Sequence, residues 1–264
     1  SLSFFSKKIF AFLSVLILET IVFFNYTTPE FNVNVCQIPI KALVIYFFWK
    51  SINNNKTLEW LIVGIFSAIG VLTHYSFFFL LLSLFIFLII FKDNQKKKYL
   101  KNITISFLVF IFFLTPHLIW LHYNDYITII YALGRTGIES KNLVSHIYNP
   151  LIFLFKQFGM LFLFFLLFFS ILSFKKLRIK INFFDKKKLF LICITFLPIF
   201  LVLFLSIISG AKIRTMWMSS FYLFFGIIFF YYFKDFVSLN KIKRFILLSS
   251  IVFIISPITY LYIS

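Results

Sequence analysis

Residues 60–91 read WLIVGIFSAIGVLTHYSFFFLLLSLFIFLIIF, and the division of this run decides the fold. As one helix it would be about 48 Å long at 1.5 Å per residue, against a hydrocarbon core of about 30 Å. A single crossing would also put Lys92, Lys96, Lys97, Lys98 and Lys101 on the opposite side from Lys50 and Lys56. Positive charge collects on the cytoplasmic side of membrane proteins. A break at Thr73-His74-Tyr75-Ser76 returns all these lysines to one side, and the turn then faces outward.

The same rule orders the rest of the chain. Of its 26 lysines and arginines, twenty fall in five clusters flanking apolar runs: 7–8, 50–56, 92–101, 175–188 and 234–244. With 62% hydrophobic residues and a mean hydropathy of +1.01, the sequence is too apolar for a soluble domain. A net charge of +18 placed beside apolar runs fits anionic lipid headgroups and argues against nucleic acid. The 44 phenylalanines, with many lysines, isoleucines and asparagines, reflect composition and are not read as stacking surfaces. The expected fold is an all-α, polytopic transmembrane helix bundle forming one domain over residues 1–264. Nine spans are read: 9–24, 33–49, 60–73, 76–91, 103–121, 151–173, 189–209, 216–233 and 245–263. The N-terminus is then cytoplasmic and the C-terminus outside.

This topology puts residues 25–32, 73–76, 122–150 and 210–215 on the outer side. Cys36 lies near the outer face and Cys193 near the inner, so no disulfide joins them. The sequons at Asn25 and Asn102 are discounted as chance matches, Asn102 also being on the inner side. No His/Cys/Asp/Glu cluster has metal-ligand spacing. Glu19 and Lys41 lie inside spans, where ionisable groups are costly and usually paired or functional. Their depths differ by only about 5 Å at 1.5 Å per residue, so an ion pair is expected. Lys156, near an outer span end, is read as snorkelling.

Polarity concentrates in a few outer motifs. They read Thr28-Pro29-Glu30; Gly64…Gly70-Val71-Leu72-Thr73-His74-Tyr75; Pro116-His117-Leu118-Ile119-Trp120…Asn124-Asp125-Tyr126; and Gly210-Ala211-Lys212-Ile213-Arg214…Trp217. In order and spacing this set resembles the GT-C class of glycosyltransferases, and within it the protein mannosyltransferase and aminoarabinose transferase superfamily. The resemblance runs from about residue 20 to 230. It implies transfer of a sugar from a polyprenyl-phosphate carrier to a lipid, glycan or protein acceptor on the outer face of a bacterial inner membrane. Transfer would invert the anomeric centre, and no cofactor is implied.

The chemistry needs a carboxylate to deprotonate the acceptor and cations to hold the departing phosphate. By resemblance, Glu30 is a supporting catalytic carboxylate. His74, Tyr75, Trp120, Asp125, Arg135, Lys212 and Arg214 are substrate-binding candidates. The bland alternatives are a helix-capping acid for Glu30, a break in a long apolar run for His74, interface anchoring for Trp120 and Tyr126, and ordinary loop charge for Asp125 and Arg135. Two departures from the family pattern stand out. His74 replaces a lysine, so its charge depends on pH. The large first outer loop with the family's main carboxylate has no counterpart, and the first residue is Ser1. The chain is therefore expected to be a C-terminal part, inactive alone. A transporter or lipid-carrier flippase is the competing reading, and it requires polar groups near the midplane of several spans.

Overall fold

The computed structural model describes residues 2–91, 96–136, 143–173 and 185–263, with side chains from 99 onward in the second of these segments. The described chain is helical, with one isolated β-bridge between Leu172 and Val237. The opening run is broken: α1 (Lys8–Leu16), a 3₁₀ turn (Ile17–Thr20) and α2 (Val22–Asn25) are separated at Ile21, which is extended. Then follow α3 (Val33–Asn54), α4 (Thr57–Thr73), α5 (Phe77–Ile90), α6 (Lys96–Tyr123), α7 (Ile127–Gly134) and α8 (Ser145–Ile171). The last third holds α9 (Lys186–Thr195), α10 (Leu197–Ser209), a 3₁₀ segment (Thr215–Phe224), α11 (Phe225–Phe233) and α12 (Ile242–Ile263).

The run that decides the fold divides where the charges required. Helix α4 stops at Thr73, His74 is extended, and α5 starts at Phe77. Each of the nine apolar runs contains helix, but length alone does not establish nine crossings. Five helical stretches are long and apolar enough to span, or six if α9 and α10, bent by 40°, form one span. The bend has a local cause: Pro198 has no N–H to give the carbonyl four residues earlier.

Hydrogen bonds gather the helix ends into two opposed sets. At one end, Lys186 donates to Ile52 O and Asn53 Oδ1, Lys187 to Ser3 O, and Lys241 to Leu172 O. Asn102, set aside as a sequon, holds the α3–α4 turn there through Asn55 O and Oδ1. At the other end, Gln37 meets His74 O, Tyr75 meets His117, Lys212 N meets Thr136 O, and Asn149 meets Gly210 O. The lysines of the first set and the motifs of the second therefore occupy opposite ends of the bundle.

Packing rests on aromatics and small residues. The Phe168 ring lies 5.1 Å from Phe229 and 5.4 Å from Phe230, edge to face; Phe190 stacks on Phe48 at 6.1 Å, tilts against Trp49 at 4.7 Å and meets Phe87 edge to face at 5.2 Å. Such tilted pairs suit the ring quadrupole. A Cβ on Gly64 would collide with the Ser106 carbonyl, so this glycine sets the close approach of α4 to α6. Helices α6 and α12 bury only 11% of their apolar windows, leaving broad faces for lipid.

The expected Glu19–Lys41 pair does not form. Among the described residues the ion pair is Lys50–Glu59, at 3.4 Å, which closes the α3–α4 turn. Lys41 is 1% exposed. Its Nζ lies 2.6 Å from Ser220 Oγ and 3.0 Å from the Phe221 ring centre.

Candidate functional site

The end of the bundle that carries the motifs holds a cavity of about 450 Å³. Arg135, Lys156, Lys212 and Arg214 bring four cations to it, and no carboxylate is among its lining residues. Phe23, Met160, Ile213 and Met216 supply apolar wall, and Thr27 and Thr215 add hydroxyls. Three of the sequence candidates thus converge although they are far apart in the chain. Lys156 is the cation that sequence reading missed.

Local structure explains how Lys212 and Arg214 reach the cavity. Gly210 ends α10 in the left-handed region at φ 68°, a conformation that favours glycine. Asn149 Nδ2 donates to Gly210 O at 2.7 Å and Ser206 Oγ to Ala211 O at 2.7 Å. Lys212 N–H donates to Thr136 O at 2.8 Å, tying this segment to the residue after Arg135. Gln157, 4% exposed, donates to Thr215 O at 3.2 Å and accepts from the Tyr222 hydroxyl at 2.6 Å. Helix α8 is therefore the frame on which the basic loop is fastened.

Arg135 is placed by α7. This helix, ITIIYALG, buries none of its residues. It is held to the bundle through Thr128, whose hydroxyl lies 2.7 Å from Tyr75 Oη; the same oxygen lies 2.9 Å from His117 Nε2. Arg135 donates to Tyr131 Oη at 2.7 Å and lies over that ring. Tyr75, expected to face a sugar, has its hydroxyl engaged in joining α5, α6 and α7. Trp120 stacks on His117 with centroids 5.9 Å apart and remains 44% exposed.

His74 is the substrate-binding candidate whose charge depends on pH. Here Ser76 N–H donates to His74 Nδ1 at 3.1 Å, so the ring proton of the neutral form sits on Nε2. Burial first, then the charges of Lys41 and Arg135, push the His74 pKa below its ordinary value. At neutral pH His74 is an uncharged Nε2–H donor, packed 5.6 Å from the Trp217 ring.

Glu30 and Asp125 do not line the cavity. Glu30 is exposed three residues beyond Thr27; its carbonyl accepts from Asn32 Nδ2. Asp125 is exposed in the turn before α7, where it and Tyr126 have φ of 49° and 55°. Glu139 and Lys141 lie outside the described residues. No group of three metal-ligating side chains occurs among the described residues.

Residues 3–120 match the family model described as Dolichyl-phosphate-mannose-protein mannosyltransferase. The matched stretch holds Glu30, His74, Tyr75 and Trp120; the four cavity cations lie beyond it. No curated protein and no solved structure matches the chain. The family match and the apolar helices support a multi-pass membrane glycosyltransferase whose sugar comes from a polyprenyl phosphate.

Proposed function

We propose that the cavity of Arg135, Lys156, Lys212 and Arg214 holds the phosphate of a polyprenyl-linked sugar at the periplasmic face of a bacterial inner membrane. The supporting observation is its composition: four cations without a carboxylate, beside apolar wall. An anionic head joined to a hydrocarbon chain satisfies both halves. The exposed apolar α7 lies against the outer leaflet and carries Arg135 at headgroup depth.

In the transfer, an acceptor hydroxyl oxygen bonds to the anomeric carbon while the bond from that carbon to the phosphate oxygen breaks. The electron pair stays on the phosphate, whose charge rises from about −1 to −2. The surrounding guanidinium and ammonium groups stabilise that added charge more than the ground state, which lowers the barrier. The acceptor proton passes to a carboxylate, with Glu30 in a supporting role. A single displacement inverts the anomeric centre. The acceptor is a lipid, glycan or protein exposed on the same face.

The test is binding of a labelled polyprenyl-phosphate hexose to the protein in proteoliposomes, which needs no turnover. A charge-assisted hydrogen bond contributes about 1.5–3 kcal/mol, so Lys212→Gln with Arg214→Gln should weaken binding by at least tenfold. Unchanged binding with folded protein would remove the cavity from the proposal.

A further inference from the structure

Lys41 lies nine residues into α3, about 12 Å from the helix start at 1.5 Å per residue. It is 1% exposed, and the ion pair found among the described residues does not include it. An ionisable side chain buried in a helix without an acidic partner needs a reason to be kept.

Its contacts supply one. Lys41 Nζ donates to Ser220 Oγ at 2.6 Å, and Ser220 Oγ–H donates to Gln37 Oε1 at 3.0 Å. Gln37 Nε2 donates to the His74 carbonyl at 3.0 Å and lies 3.4 Å from Ser76 Oγ. Ser76 closes the chain: its N–H donates to His74 Nδ1, and its Oγ is 2.9 Å from the same nitrogen. With Gln37 Nε2 donating to Ser76 Oγ the donors run from the buried amine to the imidazole; Ser76 Oγ also lies 3.5 Å from Gln37 Oε1, to which it can donate in the reverse sense. Gln37 is fully buried and Ser220 is 2% exposed, so water does not interrupt them. The Phe221 ring, 3.0 Å from the amine at its centre, offers its negative face to the cation.

We infer that Lys41 is a positioning residue, acting through Ser220 and Gln37 to hold His74 neutral with its proton on Nε2. His74, which does not itself line the cavity, is then a fixed hydrogen-bond donor packed on Trp217, three residues beyond Arg214, at a position whose charge was expected from sequence to depend on pH. For its ligand the inference rests on the carrier-phosphate reading; the network and its test do not. The charged groups facing His74 are Lys41 from α3 and Arg135 from the turn after α7; burial and both charges oppose its protonation. Its other neighbours, Gln37, Ser76 and the Trp217 ring, are neutral.

The Trp217 ring also provides the readout, because an imidazolium quenches indole fluorescence and a neutral imidazole does not. The full chain in lipid nanodiscs is titrated from pH 8 to 5, and the signal of a Trp217→Phe control is subtracted. Wild type should quench with a midpoint below the ordinary histidine range, and His74→Gln should show no transition. Lys41→Met should raise the midpoint by about one pH unit, and Lys41→Arg should keep it near wild type. Ser220→Ala, which loses one hydroxyl and tests the relay if Lys41→Met does not fold, should also raise it. An unchanged midpoint in folded Lys41→Met or in Ser220→Ala overturns the inference. Polyprenyl phosphate is then added to the same samples. A raised midpoint without carrier binding would keep the network and defeat the carrier reading.

Discussion

Replacing Gly210 by alanine tests how the basic loop is made. The residue has φ 68° and closes α10 before the segment that carries Lys212 and Arg214. Holding an alanine in the left-handed region costs about 1–2 kcal/mol. A Cβ would also sit 2.6 Å from Ser145 Oγ and 3.2 Å from His146 Nε2. The serine hydroxyl can rotate, but His146 is less free, because its Nδ1 lies 2.7 Å from Ile207 O. Gly210→Asn places the same Cβ in the same space, yet asparagine tolerates the left-handed region. The difference between the two variants therefore isolates backbone conformation from collision. Thermal unfolding in nanodiscs should rank glycine above asparagine above alanine. At roughly 2–4 °C per kcal/mol for a chain of this size, alanine should melt several degrees below wild type. Carrier affinity should fall with it, because displacement of Gly210 O breaks the bond from Asn149 and shifts Lys212. Equal melting of the alanine and asparagine variants would refute the conformational argument. Wild-type carrier affinity in a destabilised alanine variant would refute the link from turn to cavity.

Gln157→Leu strands the Thr215 carbonyl and the Tyr222 hydroxyl, and should cost about 1–3 kcal/mol in denaturant unfolding; adding Tyr222→Phe should recover part of that loss. Tyr75→Phe removes the bonds to His117 and Thr128, and should raise hydrogen exchange across residues 127–134 while leaving α5 protected. Because His74 stays neutral above its lowered pKa, carrier affinity should be flat from pH 7 to 8. Protonation below the usual histidine range adds a positive charge that Arg135 of the cavity feels, so affinity should rise there. A rise already complete at pH 7 would contradict the His74 assignment.

The large-scale order was legible in the sequence because two strong forces write it plainly. Bilayer thickness and lysine placement demanded a break at Thr73–Ser76, and α4 and α5 part at that point. Convergence of the outer loops on one end followed from the same alternation. Span lengths were less legible, since Ile21 and Pro198 interrupt runs that hydropathy reads as continuous. The site was partly legible. Arg135, Lys212 and Arg214 stood out as charges outside the inner clusters, and they share a cavity. Lys156 did not stand out, because a cation near a span end has a sufficient explanation in snorkelling. Lys41 was noticed, but depth alone suggested Glu19 as partner. Side-chain direction decides pairing, and Lys41 points to Ser220, a residue 179 positions away. His74 illustrates the same limit: its tautomer depends on a backbone N–H two residues later.

Equilibrium binding of polyprenyl phosphate to the purified protein in nanodiscs tests the central claim most directly. Wild type is compared with the variant carrying Arg135→Gln, Lys156→Gln, Lys212→Gln and Arg214→Gln. The cavity reading predicts saturable binding that weakens as salt screens the exposed cations, and a loss of at least a hundredfold in the neutralised variant. Equal affinity of the two folded proteins, with no salt dependence, would contradict it.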